Sequence, residues 1–136
     1  PQNLFLAGFI GSPTMNIVKG KMDGKKFVSE FKNVVVTPSE EDLKYLKEYD
    51  GKDVYMGIRS ERFLAKKSEE NSFEAKVEVI EMLGKEKLLH VRTKGDHEMV
   101  VSQPGHYKYE VGEYHNFTFD LDALHFFDYE TEERIN

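Results

Sequence analysis

The stretch that most restricts the fold is residues 72–82, SFEAKVEVIEM, in which the side chains alternate in character. One side takes Phe73, Ala75, Val77 and Val79, and the other takes Glu74, Lys76, Glu78 and Ile80. Successive side chains of a β-strand point to opposite faces of the sheet. The alternation therefore predicts a half-buried strand whose Phe73 side faces the core.

Short β-prone segments recur on both sides of this strand. They read MNIVKGKMDGKKFVSEF, KNVVVTP, DVYMGIRSERF, LLHVRT, EMVVSQ and YKYEVGEYHNFTFDLDALHFF. Gly20 and the Asp23–Gly24 turn signal are predicted to break the first of them, and Lys94–Asp96 forms a turn between two others. Strands at this spacing, joined by turns, predict a mainly β fold, a small antiparallel barrel or sandwich.

One helix is predicted inside the β region, in residues 39–53, SEEDLKYLKEYDGKD. Ser39 is a suitable N-cap, and acidic Glu40 and Glu41 follow in the first turn, where the helix dipole favours negative charge. Leu43 and Leu46 repeat at helical spacing before Gly51.

The chain opens on an apolar segment, PQNLFLAGFIGSP, in which Phe5 and Phe9 share a helical face. We expect the end of an amphipathic helix here, terminated by Gly11 and Pro13. A helix this short is marginal in water. Its apolar face therefore needs a partner surface.

Charge argues against a nucleic-acid partner. The chain carries 25 acidic and 19 basic residues, a formal net charge of −6. Proteins that bind phosphate backbones concentrate positive charge, and no such concentration stands out in this sequence. No apolar run approaches the ~20 residues that a membrane-spanning helix needs.

No catalytic pattern stands out among the residues. The sequence has no cysteine, no phosphate-binding G-x-x-x-x-G-K-[ST] loop and no G-x-S-x-G nucleophile motif. The five histidines do not fall at metal-binding spacings, and His125 sits among apolar residues in ALHFFD. In YMGIRSERFL, Arg59, Glu61 and Arg62 form either a partner-binding charge cluster or a solvated ion-pair group.

Four stretches together resemble the carboxy-terminal part of ATP-binding subunits of carbohydrate ABC importers, the MalK-like group. They are NLFLAGFIGSPTMN, MGIRSERF, VEVIEMLGKEKLLHVR and FTFDLDALHFFDYETEERI, in the family's order. The resemblance implies a TOBE domain with an oligomer-binding (OB) fold, to which the residue patterns above add a short N-terminal helix and one inserted helix. It implies that residues 1–12 end a linker helix from an ATPase domain and that residues 13–136 form the regulatory domain.

By the same resemblance, ATP and magnesium would bind in the missing ATPase domain, and this chain would have no cofactor and no enzymatic activity of its own. The intact subunit would couple ATP hydrolysis to carbohydrate uptake at the cytoplasmic, inner face of the cell membrane. Its expected partners are a second copy of itself, the ATPase domain, the transmembrane permease subunits and a signalling protein, with no nucleic acid.

The family-like motifs supply two sets of candidate residues. The candidate regulatory or interface residues are Asn16, Arg59, Glu61, Glu81 and His125. The candidate contacts to the ATPase domain are Phe5, Leu6, Phe9 and Ile10. The alternative hypothesis is a stand-alone OB-fold module that binds a small ligand or an oligonucleotide, with Tyr107, Tyr109 and Tyr114 as stacking platforms.

Overall fold

The computed structural model describes residues 6–9, 15–31, 33–64 and 68–136, and within them ten β-strands form two antiparallel five-stranded sheets. The strands are β1 (Met15–Asp23), β2 (Lys26–Ser29), β3 (Val35–Val36), β4 (Asp53–Arg59), β5 (Phe63–Leu64), β6 (Ser72–Leu83), β7 (Glu86–Thr93), β8 (Glu98–Pro104), β9 (Tyr114–Phe119) and β10 (His125–Asp128). The α-helix α1 spans Glu40–Leu46, and 3-10 turns span Leu6–Gly8, Lys47–Tyr49, Ser60–Arg62 and Leu121–Ala123.

Each sheet is built mainly from strands that follow one another in the chain. The first sheet runs β10-β4-β1-β2-β3, so the last strand returns beside β4, and the second runs β5-β9-β6-β7-β8. The predicted mainly β fold with OB-type architecture is confirmed.

The core lies between the sheets and is built from alternate strand residues of both. Its aromatic centre consists of Phe63, Phe73, Phe117 and Phe119, with neighbouring ring centroids 5.3–5.8 Å apart. These rings prefer tilted or edge-on packing, which is worth about 0.5–1.5 kcal/mol per pair beyond area burial.

Helix α1 begins where the sequence predicts. The Ser39 hydroxyl accepts a hydrogen bond from the Asp42 backbone N–H at 3.2 Å, so Ser39 is the N-cap. Leu46 is fully buried and Leu43 packs against the core. The helical spacing of Leu43 and Leu46 therefore predicts correctly which face of α1 packs against the core.

Strand β6 departs from its predicted alternation after Val77. The register with β7 shifts between Val77 and Val79, which is the mark of a β-bulge. The extra residue moves the following side chains to the opposite face, so Val79 is 51% exposed and Ile80 packs against the core. The prediction that Val79 faces the core is wrong for this reason.

The prediction that Gly20 breaks the first β segment is wrong, because Gly20 lies inside the continuous strand β1. A Cβ atom at this position would collide with the Phe27 ring and with the Val28 carbonyl oxygen. Glycine is therefore required by the close approach of β2 and not by a turn.

Two polar links join the sheets. The Asn16 amide on β1 donates to the Val100 carbonyl oxygen on β8 at 2.8 Å and accepts from the Val100 N–H at 2.7 Å. In the second link, the Asn33 amide donates to the Thr93 hydroxyl and accepts from the Ser29 hydroxyl. Buried polar groups satisfied in this way fix one arrangement of the two sheets.

The described part of the predicted N-terminal helix is the 3-10 turn Leu6–Gly8, in which Phe9 N–H donates to Leu6 O at 2.8 Å. Phe5, Ile10, Gly11 and Pro13 lie outside the described residues.

Candidate functional site

Three of the candidate residues meet at one end of the first sheet, where β4 and β10 pair. His125 on β10 lies opposite Gly57 on β4, and Arg59 ends β4. The Phe9 ring centroid is 5.3 Å from the His125 ring, and the Arg59 guanidinium carbon is 5.8 Å from the Phe9 centroid. We call this group of Phe9, Arg59 and His125 the β4–β10 corner.

The corner keeps its histidine neutral. Nδ1 of His125 is buried, and no residue in the described ranges bonds it. Burial, followed by the nearby charges of Arg134, Arg59 and Arg62, lowers the pKa of His125 to about 4. At neutral pH the imidazole therefore carries no charge, and the positive charge of the corner comes from arginine.

Glu61 extends the corner into solvent. It is exposed on the 3-10 turn Ser60–Arg62, directly after Arg59, while Ser60 is buried. Arg62 is tied to Asp120 by two hydrogen bonds, from Nε at 3.2 Å and from Nη2 at 2.8 Å. Arg59 and Glu61 are thus the exposed charges that this corner offers to a partner.

Asn16 lies on β1 opposite Ile58, next to the corner, but its side chain has a structural role. Its side chain is 6% exposed, and it uses its polar atoms on Val100 and on the Ile58 carbonyl oxygen, at 3.3 Å from Nδ2. The side chain therefore joins the two sheets and does not present an exposed contact.

Glu81 belongs to the second sheet, on β6. Its carboxylate bonds Nε2 of His90, whose Nδ1 lies 3.8 Å from a Glu98 carboxylate oxygen. Arg92 continues this charged row, with Nε 3.0 Å from Glu78. Glu81 thus lies on a different sheet from Arg59 and His125, a separation that no local sequence pattern indicates.

The leading segment contacts the chain itself. Leu6 is 1% exposed, and its backbone N–H donates to Glu132 O at 2.8 Å. Phe9 is half-buried, with its ring centroid 5.4 Å from that of Phe127. Both described candidates for the ATPase-domain contact are therefore at least partly covered by β10 and the turn after it, while Phe5 and Ile10 lie outside the described residues.

A groove along β1 and β2 was not predicted from the sequence. It encloses about 480 Å³, and its charged lining comprises Lys19, Lys21, Asp23, Glu30 and Asp53. Beside it, the Tyr55 and Tyr129 rings stack at 5.3 Å, with Lys19 over Tyr129. Tyr55 and Tyr129 are far apart in sequence, so no local pattern connects them.

The groove is charged differently from a channel that binds single-stranded nucleic acid, and the three predicted tyrosine platforms differ in exposure. Both signs of charge line the groove, whereas single-strand binders use a continuous positive channel. Tyr109 is half-buried and its hydroxyl bonds Gln103 Oε1 at 3.1 Å, and burial raises the pKa of Tyr109. Tyr107 and Tyr114 are exposed.

The described ranges contain no group of three histidine, cysteine, aspartate or glutamate side chains placed to hold a metal ion. Nor do those ranges contain a helix that is long and apolar enough to cross a membrane.

Family models match almost the whole chain. The MalK OB fold domain matches residues 11–63, and the TOBE domain matches residues 56–127.

The curated proteins that are similar to this chain include several ATP-binding proteins of transporters. The chain is 43% identical over 134 residues to the putative uncharacterized ABC transporter ATP-binding protein YcjV of Escherichia coli K12, covering 97% of this chain and 36% of that protein. It is 34% identical to the oligosaccharides import ATP-binding protein MsmX of Bacillus subtilis, covering 99% and 38%. It is also 34% identical to the sn-glycerol-3-phosphate import ATP-binding protein UgpC of Ruegeria pomeroyi, covering 99% and 36%. The chain thus spans little more than a third of the length of these relatives.

Among solved structures, the cytoplasmic molybdate-binding protein ModG superimposes with a TM-score of 0.70 over 86% of this chain and 98% of that one. Its sequence identity is 13%, so this likeness shows the fold alone.

Proposed function

Because the chain belongs to the TOBE domain family, we propose that it is the regulatory and dimerisation domain of the ATP-binding subunit of a carbohydrate ABC importer. The observation that carries the proposal is the match, over 97–99% of the chain, to ABC transporter ATP-binding proteins such as YcjV, MsmX and UgpC. The chain covers 36–38% of those proteins. In the proposed subunit, the ATPase domain supplies the remainder.

The proposed division of labour follows from this arrangement. ATP and magnesium bind in the ATPase domain, which couples hydrolysis to carbohydrate uptake through the permease subunits at the inner face of the membrane. The present domain hydrolyses nothing and acts through its surface. Such a surface influences transport only if its contacts differ in free energy between transporter states.

The β4–β10 corner is the proposed regulatory contact. Arg59 and Glu61 are exposed there, and Phe9 ties the leading segment to His125 on the same corner. A displacement of the leading segment relative to the ATPase domain would therefore act directly on the residues that a signalling protein touches.

A hybrid protein tests this function. The part of MsmX that the chain matches is replaced by this chain, and oligosaccharide uptake is measured in a Bacillus subtilis strain without MsmX. We expect uptake to be restored, and we expect Arg59→Glu to alter uptake more than the exposed control Lys108→Glu. A hybrid that hydrolyses ATP without restoring any uptake contradicts the proposal.

Assays on the isolated chain separate the remaining hypotheses. We expect no ATP turnover, no binding of labelled oligonucleotides by fluorescence anisotropy, and a reversible dimer in analytical ultracentrifugation. The net charge of −6 and the mixed charges of the groove support the second expectation. Tight, salt-dependent oligonucleotide binding would instead favour the stand-alone OB-fold module.

A further inference from the structure

Strand β6 is longer than the strand that pairs with its outer edge. Strand β9 covers β6 only from Ser72 to Lys76. The next residue, Val77, uses its N–H and C=O on Glu113 O and Gly112 N, at 2.8 Å each. Beyond Val77, no backbone within the described ranges pairs with this edge, so residues 79–83 are hydrogen-bonded to β7 alone.

The hairpin turn determines which backbone groups are free. Gly84, with a φ of 58°, and Lys85 form a two-residue turn flanked by the pair Leu83 and Glu86. The residues that flank such a turn bond each other, and bonded pairs alternate with non-bonded pairs along the ladder. The N–H and C=O groups of Met82 and Ile80 therefore point toward the open edge.

Exposed apolar side chains surround these free groups. Val79 is 51% exposed, Met82 60% and Leu83 50%. Natural proteins protect open edges with lysine, proline or a covering segment. Residues 79–83 contain no lysine or proline, and Glu81 is their one charged residue. The segment thus has the properties of a strand that pairs with another strand.

We propose that the β6 edge of a second copy of this chain pairs antiparallel with this edge about a two-fold axis, with Met82 opposite Met82. The inference rests on the dimerisation part of the proposed function and names the surface that carries it. A two-fold contact uses the same patch on both copies, which a strand pairing antiparallel with itself satisfies. The second sheet of one copy then joins the second sheet of the other copy into one continuous sheet.

Three symmetric registers use the free groups of Ile80 and Met82, and two of them are unfavourable. Centring the axis on Ile80 places the second copy's Leu83 opposite Val77, whose backbone groups Glu113 and Gly112 already occupy. Centring it on Glu81 places two carboxylates directly opposite each other, which destabilises a strand pair.

The register centred on Met82 avoids both conflicts. It places Glu81 opposite the second copy's Leu83, so the two Glu81 carboxylates lie on diagonal positions about 7–8 Å apart and not directly opposite each other. Ile80 then faces the second copy's Gly84, which has no side chain to obstruct it.

The absence of cysteine from the sequence makes a cross-linking test direct. In a hydrogen-bonded antiparallel pair the Cα atoms are about 5.5 Å apart, which lies within the range of a disulfide. The variant Met82→Cys should form a covalent dimer in a glutathione redox buffer about tenfold faster than Tyr45→Cys, since preassociation raises the effective thiol concentration. Tyr45, 43% exposed on α1, is the matched control.

A second pair of variants tests the free equilibrium. Met82→Lys places two ammonium groups opposite each other, so its dimer dissociation constant in analytical ultracentrifugation should rise at least about tenfold. Tyr45→Lys should leave the constant unchanged, and circular dichroism verifies that both variants are folded.

The outcomes separate the surface from the function. A wild-type dimer that Met82→Lys leaves intact overturns this surface and leaves dimerisation standing. A wild-type monomer at every concentration, with Met82→Cys reacting no faster than Tyr45→Cys, overturns dimerisation of this domain and the surface together. Selective cross-linking of Met82→Cys supports the surface even where the free dimer is weak.

Discussion

The side chain of Asn16 on β1 bonds both backbone groups of Val100 on β8, as a third strand would. Nδ2 donates to the carbonyl oxygen at 2.8 Å and Oδ1 accepts from the N–H at 2.7 Å. Strand β8 is an edge strand of the second sheet, so Asn16 satisfies groups that β7 leaves unpaired.

Replacing Asn16 by alanine should therefore lower the free energy of unfolding by about 2–4 kcal/mol, because both Val100 groups lose their partner in a part-buried site. Urea unfolding followed by circular dichroism measures the loss. Asn116→Ala, at an exposed position of β9, is the control and should cost less than about 0.5 kcal/mol. Equal losses in the two variants would show that the Asn16 link contributes little to stability.

His125 should make stability fall as the solution becomes acidic. The folded pKa is about 4 and the unfolded value is near 6.5, so the unfolded chain binds the extra proton between these pH values. Stability is then fully present above pH 6.5 and is lost as the pH falls toward 4, by about 2–3 kcal/mol.

The measurement is urea unfolding at several pH values between 4 and 7. His125→Gln should remove this share of the pH dependence, because glutamine does not titrate. The exposed His106→Gln is the matched control and should follow the wild type. An unchanged slope in His125→Gln contradicts the assignment.

Gly20→Ala should destabilise the domain by about 2–3 kcal/mol through overpacking, since the new methyl group meets the Phe27 ring and the Val28 carbonyl. Thermal unfolding measures the change. Gly8→Ala is the control, because nothing lies within 4 Å of a Cβ built there. Were the two variants equally stable, the close approach of β2 would not be what requires glycine.

Leu6→Ala should cost about 2–3 kcal/mol, as expected for a fully buried leucine. The exposed Leu64→Ala, at 37% exposure, should cost distinctly less. Urea unfolding compares the two. A small loss at Leu6 would mean that the leading segment contributes little to the stability of the domain.

The sequence predicts those parts of the fold that local chemistry determines. Ser39 and the acidic residues after it mark the start of α1 because capping and the helix dipole act within one turn. The alternation in β6 holds up to Val77 for a similar reason, since the period of a strand is local.

The failures arise from contacts between distant segments. The bulge after Val77 depends on pairing with β7, and the need for Gly20 depends on the Phe27 ring across the hairpin. The role of Asn16 is set by a strand 84 residues away. A pattern in one segment contains none of this information.

The candidate residues divide in the same way. Motif resemblance grouped Arg59, Glu61 and His125 at the β4–β10 corner with two residues of another kind. Asn16 is next to the corner but has a buried side chain, and Glu81 lies on the second sheet. A family motif contains residues that the fold requires as well as residues that contact partners. The motif alone does not distinguish an exposed charged side chain from a buried amide. Exposure separates them, and exposure depends on tertiary packing.

The link through Asn33 has a consequence for local opening of the domain. The Ser29 hydroxyl accepts from Val34 N–H and the Thr93 hydroxyl accepts from His97 N–H, and Asn33 bonds both hydroxyls. Val34 and His97 therefore depend on one shared network although they precede strands of different sheets, β3 and β8. Their amide protons should exchange with solvent at similar rates, because a single fluctuation that releases Asn33 uncovers both.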